Sequence, residues 1–422
     1  MSKIHLNRIK KALQLLKASG SNEALVVCSN PAVTRSRDTH YPYRQNSDLF
    51  YFTGSLHSRL TLVLRPYARE TVILIAPERD PVRDLWEGAE PAISKTASAI
   101  GAKVVTSKDQ VSTTLSLLRG AAAAHLPSVT GSVGGEVRRQ MLGKTATELA
   151  GLPPSVHEAE HLTAKLRAFK DAHEVEAIAR AADLTSATLN HVSQFIKPGV
   201  KEREIAALIE YLYRLHGAEP AFGTIVAAGK SAATLHYRSL ERTLKRGELL
   251  LIDTGCELDL YACDISRTVA VGMASAEEID PRLAALHDTV LRAQRAAIAK
   301  VRPGVHITDV HKAAARELTH GLKDLGVLRG SITQLINKQA YKPYFPHGIG
   351  HSLGIDVHDV SPEINGRLGV LEAGMVITIE PGLYFNKPIA KIPACGIRIE
   401  DDVLVTPRGR AILTEDVFPR EL

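Results

Sequence analysis

The chain has 422 residues, of which 45% are hydrophobic and 23% charged, with a formal net charge of +6. That length accommodates two domains, and that balance belongs to a globular chain rather than a disordered or fibrous one. No apolar run approaches the roughly 18–20 residues of a membrane span, and the basic residues are dispersed without a block of like charge, which argues against a nucleic-acid-binding surface.

Met1 to Gly20 is basic and amphipathic, with Ile4, Leu6, Ile9, Leu13 and Leu16 recurring among Lys and Arg. This pattern predicts a surface helix opening the first domain. The stretch lacks the continuous apolar core of a secretory signal; a mitochondrial presequence is the competing reading, since no acidic residue precedes Glu23. Ala24–Val27, Leu60–Leu64 and Thr71–Ile75 read as strands with helical stretches between and after them, an α/β pattern. A lone Trp86 follows in Asp84-Leu85-Trp86-Glu87-Gly88, a residue type more often packed than free. Gly120 to Pro154, rich in Ala, Gly, Ser and Pro, leads into a charged helical stretch from Ala164 to Val192. That shift places a boundary near residues 155–165 and gives domains 1–160 and 161–422. Cys28, Cys256, Cys263 and Cys395 form no C-x-x-C pair and no disulfide framework, so a cytoplasmic location is expected.

The second part repeats itself. Pro198-Gly199-Val200, between two helical patterns, recurs as Pro303-Gly304-Val305. Leu244-Lys245-Arg246-Gly247 enters a strand ending Asp253-Thr254-Gly255, and Leu371-Glu372-Ala373-Gly374 enters one ending Glu380-Pro381-Gly382. The next strand pairs Asp264 with Glu400. Two helix–helix–strand–strand halves predict a pseudo-symmetric α+β domain, with an insertion in the second half that carries a histidine-rich stretch.

Each half supplies two carboxylates. A hairpin turning at Leu258-Asp259 would set Asp253 directly opposite Asp264, on one face with Cβ atoms roughly 4.5–5.5 Å apart. Carboxylates that close resist joint ionisation in apolar surroundings, and a cation relieves the conflict. Glu380 and Glu400 repeat the arrangement, and four acids call for about two divalent ions. Oxygen ligands with one imidazole suit Mn²⁺, Co²⁺ or Fe²⁺ better than a thiolate zinc site does. The imidazole comes from His347-Gly348-Ile349-Gly350-His351-Ser352-Leu353-Gly354-Ile355-Asp356-Val357-His358, whose glycines mark a site wall rather than a helix.

These residues together resemble the aminopeptidase P (Xaa-Pro aminopeptidase) branch of the pita-bread metallopeptidases. The resemblance spans nearly the whole chain. It rests on Asp253-Thr254-Gly255, Asp264-Ile265-Ser266-Arg267-Thr268, His347-Gly348-Ile349-Gly350-His351, Asp356-Val357-His358-Asp359, Glu380-Pro381-Gly382-Leu383-Tyr384 and Arg398-Ile399-Glu400-Asp401-Asp402. In the first domain it rests on Val33–Gly54, with Asp38, Asn46 and Asp48. It implies an α/β amino-terminal domain before a pita-bread catalytic domain. It also implies hydrolysis of the bond between an N-terminal residue and a penultimate proline. Asp264 and Glu400 would bridge two metal ions, most simply Mn²⁺, with Zn²⁺ among the alternatives. Asp253 would chelate one ion, and His351 with Glu380 would complete the other. Glu380 would accept the proton of the attacking water. His236 and His358 would bond the substrate or the developing oxyanion, and His347 would shape the proline pocket. Tyr384 and Arg398 would support the carboxylates. The family's assemblies imply a homodimer or homotetramer in which the Trp86 region approaches a neighbour's site. The chain departs from the pattern in His236-Tyr237-Arg238-Ser239-Leu240, which lacks an expected Asn, and at Ser352, where a bulkier residue is often found.

A prolidase restricted to Xaa-Pro dipeptides is the alternative within the enzyme class, and a peptide-binding pseudoenzyme is the alternative outside it. Three further motifs are weighed and set aside. His157-Glu158-Ala159-Glu160-His161 satisfies H-E-x-x-H but lies at a domain joint behind Pro153-Pro154. Gly350-His351-Ser352-Leu353-Gly354 satisfies G-x-S-x-G, yet a strand pattern follows where an esterase needs a helix. Gly229-Lys230-Ser231 ends like a phosphate loop, but Gly223 stands one residue too far upstream.

Overall fold

The computed structural model describes residues 2–143, 150–273, 278–361 and 369–415. Met1 and residues 144–149 of the Ala/Gly/Ser/Pro-rich segment lie outside them. The chain divides into two compact units, Met1–Arg167 and Ala168–Leu422. Among the described residues no helix is long and apolar enough to cross a membrane.

The first unit is α/β. Its 6-stranded sheet runs, in spatial order, Lys103–Thr106, Val72–Ala76, Thr61–Leu64, Glu23–Cys28, Ala123–Leu126, Ser155–Glu158. Thr61–Leu64 is antiparallel to both neighbours, and the other pairs are parallel. The central strands are unbroken apolar runs because helices cover both faces. The helix Ser2–Ala18 buries Ile9, Ala12 and Leu16, one stripe at helical spacing. The unit extends past residue 160 to Arg167. Ser155–Glu158 pairs with Ala123–Leu126, the helix Ala159–Arg167 follows without a linker, and buried Arg167 grips Asp48 at 2.7 Å.

The charged stretch Ala164 to Val192 is therefore not one helix. A new helix, Ala172–Ser193, starts at Asp171. The Asp171 carboxylate accepts from Glu174 N (3.0 Å) and the Glu174 carboxylate accepts from Asp171 N (3.1 Å), a reciprocal cap.

The second unit is α+β and two-fold in plan. One half has helices Ala172–Ser193 and Glu202–Leu215 against strands Ile225–Ala228, Leu249–Thr254 and Ile265–Ala270. The other has helices Pro281–Lys300 and Ile307–Asp324 against strands Val376–Ile379, Asp401–Thr406 and Gly409–Ile412. Each half buries its own core: Ile205, Ile209 and Tyr213 against Leu250 and Ile252, and Val290, Leu318 and Leu322 against Ile377 and Val403. The repeated Pro-Gly-Val turns make matching bonds. Gly199 N donates to Leu244 O and Leu244 N to Val200 O, as Gly304 N does to Leu371 O and Leu371 N to Val305 O.

The hairpin between Asp253 and Asp264 has a different register from the one expected. Its turn is Asp259-Leu260, both left-handed (φ 52° and 65°), and Asp253 faces Ser266. A two-residue slip keeps every side chain on its original face, so Asp264 still shares that face, one step diagonal to Asp253. Sequence alone misses this turn because a leucine rarely accepts positive φ.

Lys170 Nζ meets Asp359 Oδ2 at 3.0 Å with both side chains almost fully enclosed (0% and 2% exposed). Breaking such a pair strands a charge and costs about 3–5 kcal/mol. Lys170→Met should lower the urea midpoint strongly, and adding Asp359→Leu should recover much of that loss.

Candidate active site

Strand ends deliver the acids. Asp253 is next to last in Leu249–Thr254, and Asp264 sits in the break before Ile265–Ala270. Glu380 follows Val376–Ile379, and Glu400 precedes Asp401–Thr406. The break at Asp264 requires close backbone approach: a Cβ on Gly255 would stand 1.7 Å from Cys263 O. Gly350 has the same role beside His351, where a Cβ would lie 1.8 Å from Thr378 O.

His351 is fixed by three bonds. Its N donates to Thr378 Oγ1 (3.1 Å), its O accepts from Thr378 N (2.9 Å), and its Nδ1 lies 3.0 Å from Ser352 O. That contact makes Nδ1 the protonated nitrogen and leaves Nε2 as the basic one. Nε2 stands 3.5 Å from Asp264 Oδ2 and 3.7 Å from Glu380 Oε1. Asp264, His351 and Glu400 offer ligand atoms within 4.8 Å of one another. Asp253 and Glu380 line the same cavity of about 500 Å³, together with His236, His347, His358 and Arg398. Every expected site residue except Tyr384 thus lines one space, and Tyr384 lies directly behind it.

Arg398, itself buried, organises the second layer. Its Nη2 pairs with Asp253 Oδ2, Nη1 donates to Tyr384 Oη (2.9 Å), and Nε donates to Ser266 Oγ (2.8 Å). Ser266 Oγ then donates to Glu400 Oε2 (2.7 Å). Tyr384 Oη lies 2.9 Å from His347 Nε2, while His347 Nδ1 lies 2.8 Å from Gly348 O. The consistent proton placement has His347 donating at Nδ1 and accepting from tyrosine at Nε2. Burial, then Arg398, pushes the His347 pKa down to about 4, so its ring is neutral. Burial pushes the Tyr384 phenol up to about 12. His358 packs edge-on to His351 at 4.4 Å between ring centres, and burial lowers its pKa.

Burial raises the Asp264, Glu400 and Glu380 carboxyls above their ordinary range, and the neighbouring acids add to it. Among the described residues Asp253 Oδ1 and Asp264 Oδ1 are buried without a hydrogen-bond partner. Stranded carboxylate oxygens of this kind are costly. Both residues line a cavity with further carboxylates and His351, a donor set that fits divalent cations with oxygen and nitrogen preference.

Sequence reasoning does not single out four supporting residues. Ser266 bridges Arg398 to Glu400. Arg267, 1% exposed, donates to Glu400 O, Ser266 O (2.9 Å) and Asp401 Oδ1 (2.8 Å). Asp402 Oδ2 accepts from Asp264 N (3.2 Å). Asp401 and Asp402 therefore hold the backbone of the neighbouring acids. The available signal was the acidic run itself, Glu400-Asp401-Asp402, and the period-2 spacing of Asp264 and Ser266.

The set-aside motifs stay apart from this site. His157 lies in the strand Ser155–Glu158 and His161 in the following helix, so they share no helix face. Ser352 pairs with Ile377 in an antiparallel bridge, with no helix after it among the described residues before Val360. Gly229–Ala233 is a short 3₁₀ turn.

Two family models match the chain: metallopeptidase family M24 over residues 176–407 and the aminopeptidase P N-terminal domain over residues 5–126. The chain is 33% identical to the Xaa-Pro aminopeptidase of Escherichia coli K12, covering 100% of this chain and 97% of that protein. It superposes on the aminopeptidase PepP of Pseudomonas aeruginosa with a TM-score of 0.89 at 33% identity, over 99% of this chain and 95% of that one. A zinc-substituted E. coli aminopeptidase P in complex with product matches with a TM-score of 0.90 at 30% identity, over 99% and 96%.

The raised carboxyl pKa values carry a sign. Protonated forms of Asp264 and Glu400 stabilise the metal-free fold at low pH, and that contribution is lost as pH rises through their raised values. A divalent ion binds the ionised forms, so its uptake releases protons and weakens as pH falls. Calorimetric Mn²⁺ titrations in two buffers of different ionisation enthalpy should show proton release. Thermal stabilisation by Mn²⁺ should grow as pH rises above the carboxylate range.

Proposed function

The chain belongs to metallopeptidase family M24, in its aminopeptidase P branch, and we propose that two divalent ions held by Asp253, Asp264, His351, Glu380 and Glu400 form its reaction centre. Its second unit is the pita-bread catalytic domain of that branch. Its reaction is the metal-dependent hydrolysis of the bond between an N-terminal residue and a following proline. The observation that carries the two-ion reading is the pair of partnerless buried oxygens, Asp253 Oδ1 and Asp264 Oδ1, in a cavity that two further carboxylates and His351 also line.

In this reading Asp264 and Glu400 would be shared by the two ions, Asp253 would help hold one, and His351 with Glu380 would help hold the other; Mn²⁺ is the proposed metal. Bound ions lower the pKa of water and polarise a carbonyl. Glu380 accepts the water's proton. His236 and His358, as N–H donors at the cavity wall, hold the substrate carbonyl as negative charge develops on it. Neutral His347, edge-on to Phe345 at 4.8 Å, offers proline an uncharged ring. Arg398 and Tyr384 keep Asp253 and Glu400 oriented.

A homodimer or homotetramer is proposed from the helix Pro81–Glu87, none of whose residues is buried and whose Val82, Leu85 and Trp86 are 66%, 83% and 82% exposed. A second copy would cover that apolar patch. A reducing, cytoplasmic setting accords with four free cysteines.

The Mn²⁺-loaded enzyme should cleave Arg-Pro-Pro and leave Ala-Pro nearly untouched; dipeptide-only turnover would make it a prolidase. Exhaustive chelation should abolish turnover and Mn²⁺ restore it. Glu380→Gln should lower kcat by about 10²–10⁴-fold, with metal content assayed in parallel to separate proton transfer from metal loss.

A further inference from the structure

We infer that Arg238 is a specificity determinant that favours substrates bearing a carboxylate beyond the proline. The inference rests on the reading that the cavity around Asp253 and Glu400 is where the peptide is cleaved.

A buried staple presents Arg238. Glu202 is 0% exposed, and both of its oxygens are occupied. Oε1 accepts from Ala228 N (2.8 Å), and Oε2 accepts from Arg242 N (3.0 Å) and from the Tyr237 hydroxyl (2.9 Å). Tyr237 is thereby drawn to Glu202, while its two neighbours, His236 and Arg238, line the cavity. The guanidinium reaches over Gly223, its Nη1 within 3.6 Å of where a Cβ there would stand.

Only two permanent cations line the cavity among the described residues, Arg238 and Arg398. Arg398 is consumed by Asp253, Tyr384 and Ser266. Arg238 is exposed and makes no hydrogen bond or ion pair among the described residues. Two divalent ions would neutralise the four lining carboxylates, and Arg238 would then be uncompensated charge at the wall. A peptide's amino terminus is itself a cation and is repelled there. The guanidinium therefore suits the far side of the scissile bond, where a carboxylate gains a charge-assisted, bidentate partner. That carboxylate has two sources: an Asp or Glu side chain following the proline, or the free carboxyl terminus of a short peptide.

Steady-state kinetics on the Mn²⁺-loaded full chain separates them. Ala-Pro-Glu, Ala-Pro-Gln and Ala-Pro-Lys, all as C-terminal amides, read the side chain; Ala-Pro-Gln as free acid against its amide reads the terminus. In at least one arm kcat/KM should favour the carboxylate over its neutral counterpart by about fivefold, the scale of a solvent-facing ion pair. The preference should shrink at high salt. Arg238→Ala should bring that ratio close to one, and Arg238→Glu should turn it in favour of the lysine peptide. No preference in either arm, a preference that survives Arg238→Ala, or an equal loss on every substrate overturns the inference while cleavage in this cavity stands. Failure to turn over any Xaa-Pro peptide overturns both.

Discussion

Four carboxylates that line one cavity repel one another, and most of what surrounds them answers that repulsion. Asp264 and Glu400 are buried; the cost of leaving water raises both carboxyls, with Asp253 and Asp402 adding to the rise at Asp264 and Asp264 adding to that at Glu400. Arg398 neutralises part of the charge through Asp253, and His351 and Arg398 beside Glu380 hold its rise in check. Among the described residues Asp253 Oδ1 and Asp264 Oδ1 are left without a hydrogen-bond partner. A fold that left them so without cations would bear a penalty of several kcal/mol that apolar side chains would avoid.

Holding that cluster falls to the backbone as much as to side chains. Arg267 fixes the Glu400 and Ser266 carbonyls and is itself held by Asp401, which also accepts from Gln294 Nε2 and from Thr414 Oγ1 (2.8 Å). Asp402 fixes the Asp264 amide. These polar networks lie in a region of low dielectric, where a satisfied bond is strong and a lost one is expensive. The positions of Asp264 and Glu400 are therefore set by groups that do not line the cavity.

The acids, the histidines, the repeat and the two-part organisation were legible because each rests on residue type and spacing. Register was not. Alternation gives the face of Asp253 and Asp264 correctly, since parity survives a two-residue slip, but it does not place the turn. Asp259 and Leu260 both adopt positive φ, and no Gly or Asn announces it. The capping box at Asp171 lies inside a run whose two sides are both helical, so periodicity passes over it. Arg267 and Asp402 act through backbone contacts between segments far apart in sequence, for which one sequence holds no signal.

Register also changes the meaning of the repeat. By strand pairing, Asp253 faces Ser266, whereas the pairs Ile379–Asp401 and Gly382–Arg398 bracket Glu380 and Glu400 as direct opposites. The counterpart of Glu400 is therefore Ser266, and Asp264 enters from the strand break beside it. A hydroxyl there lets Arg398 and Glu400 share one bridging group, where another acid would add repulsion. His351, expected in the insertion that breaks the symmetry, instead belongs to the repeat. The segment around it bonds to Val376–Ile379 through Ser352–Ile377, Leu353 N to Val376 O and Glu380 N to Ile349 O. That is the place Ile225–Ala228 holds against Leu249–Thr254 in the other half. The two halves thus build the floor of the cavity from equivalent strands, His351 included. Its walls come from the connections around those strands, which supply Leu235, His236 and Arg238 as well as Val357 and His358. Wall residues make few of the bonds that fix the acids, so they can vary in charge and size while the floor keeps its geometry.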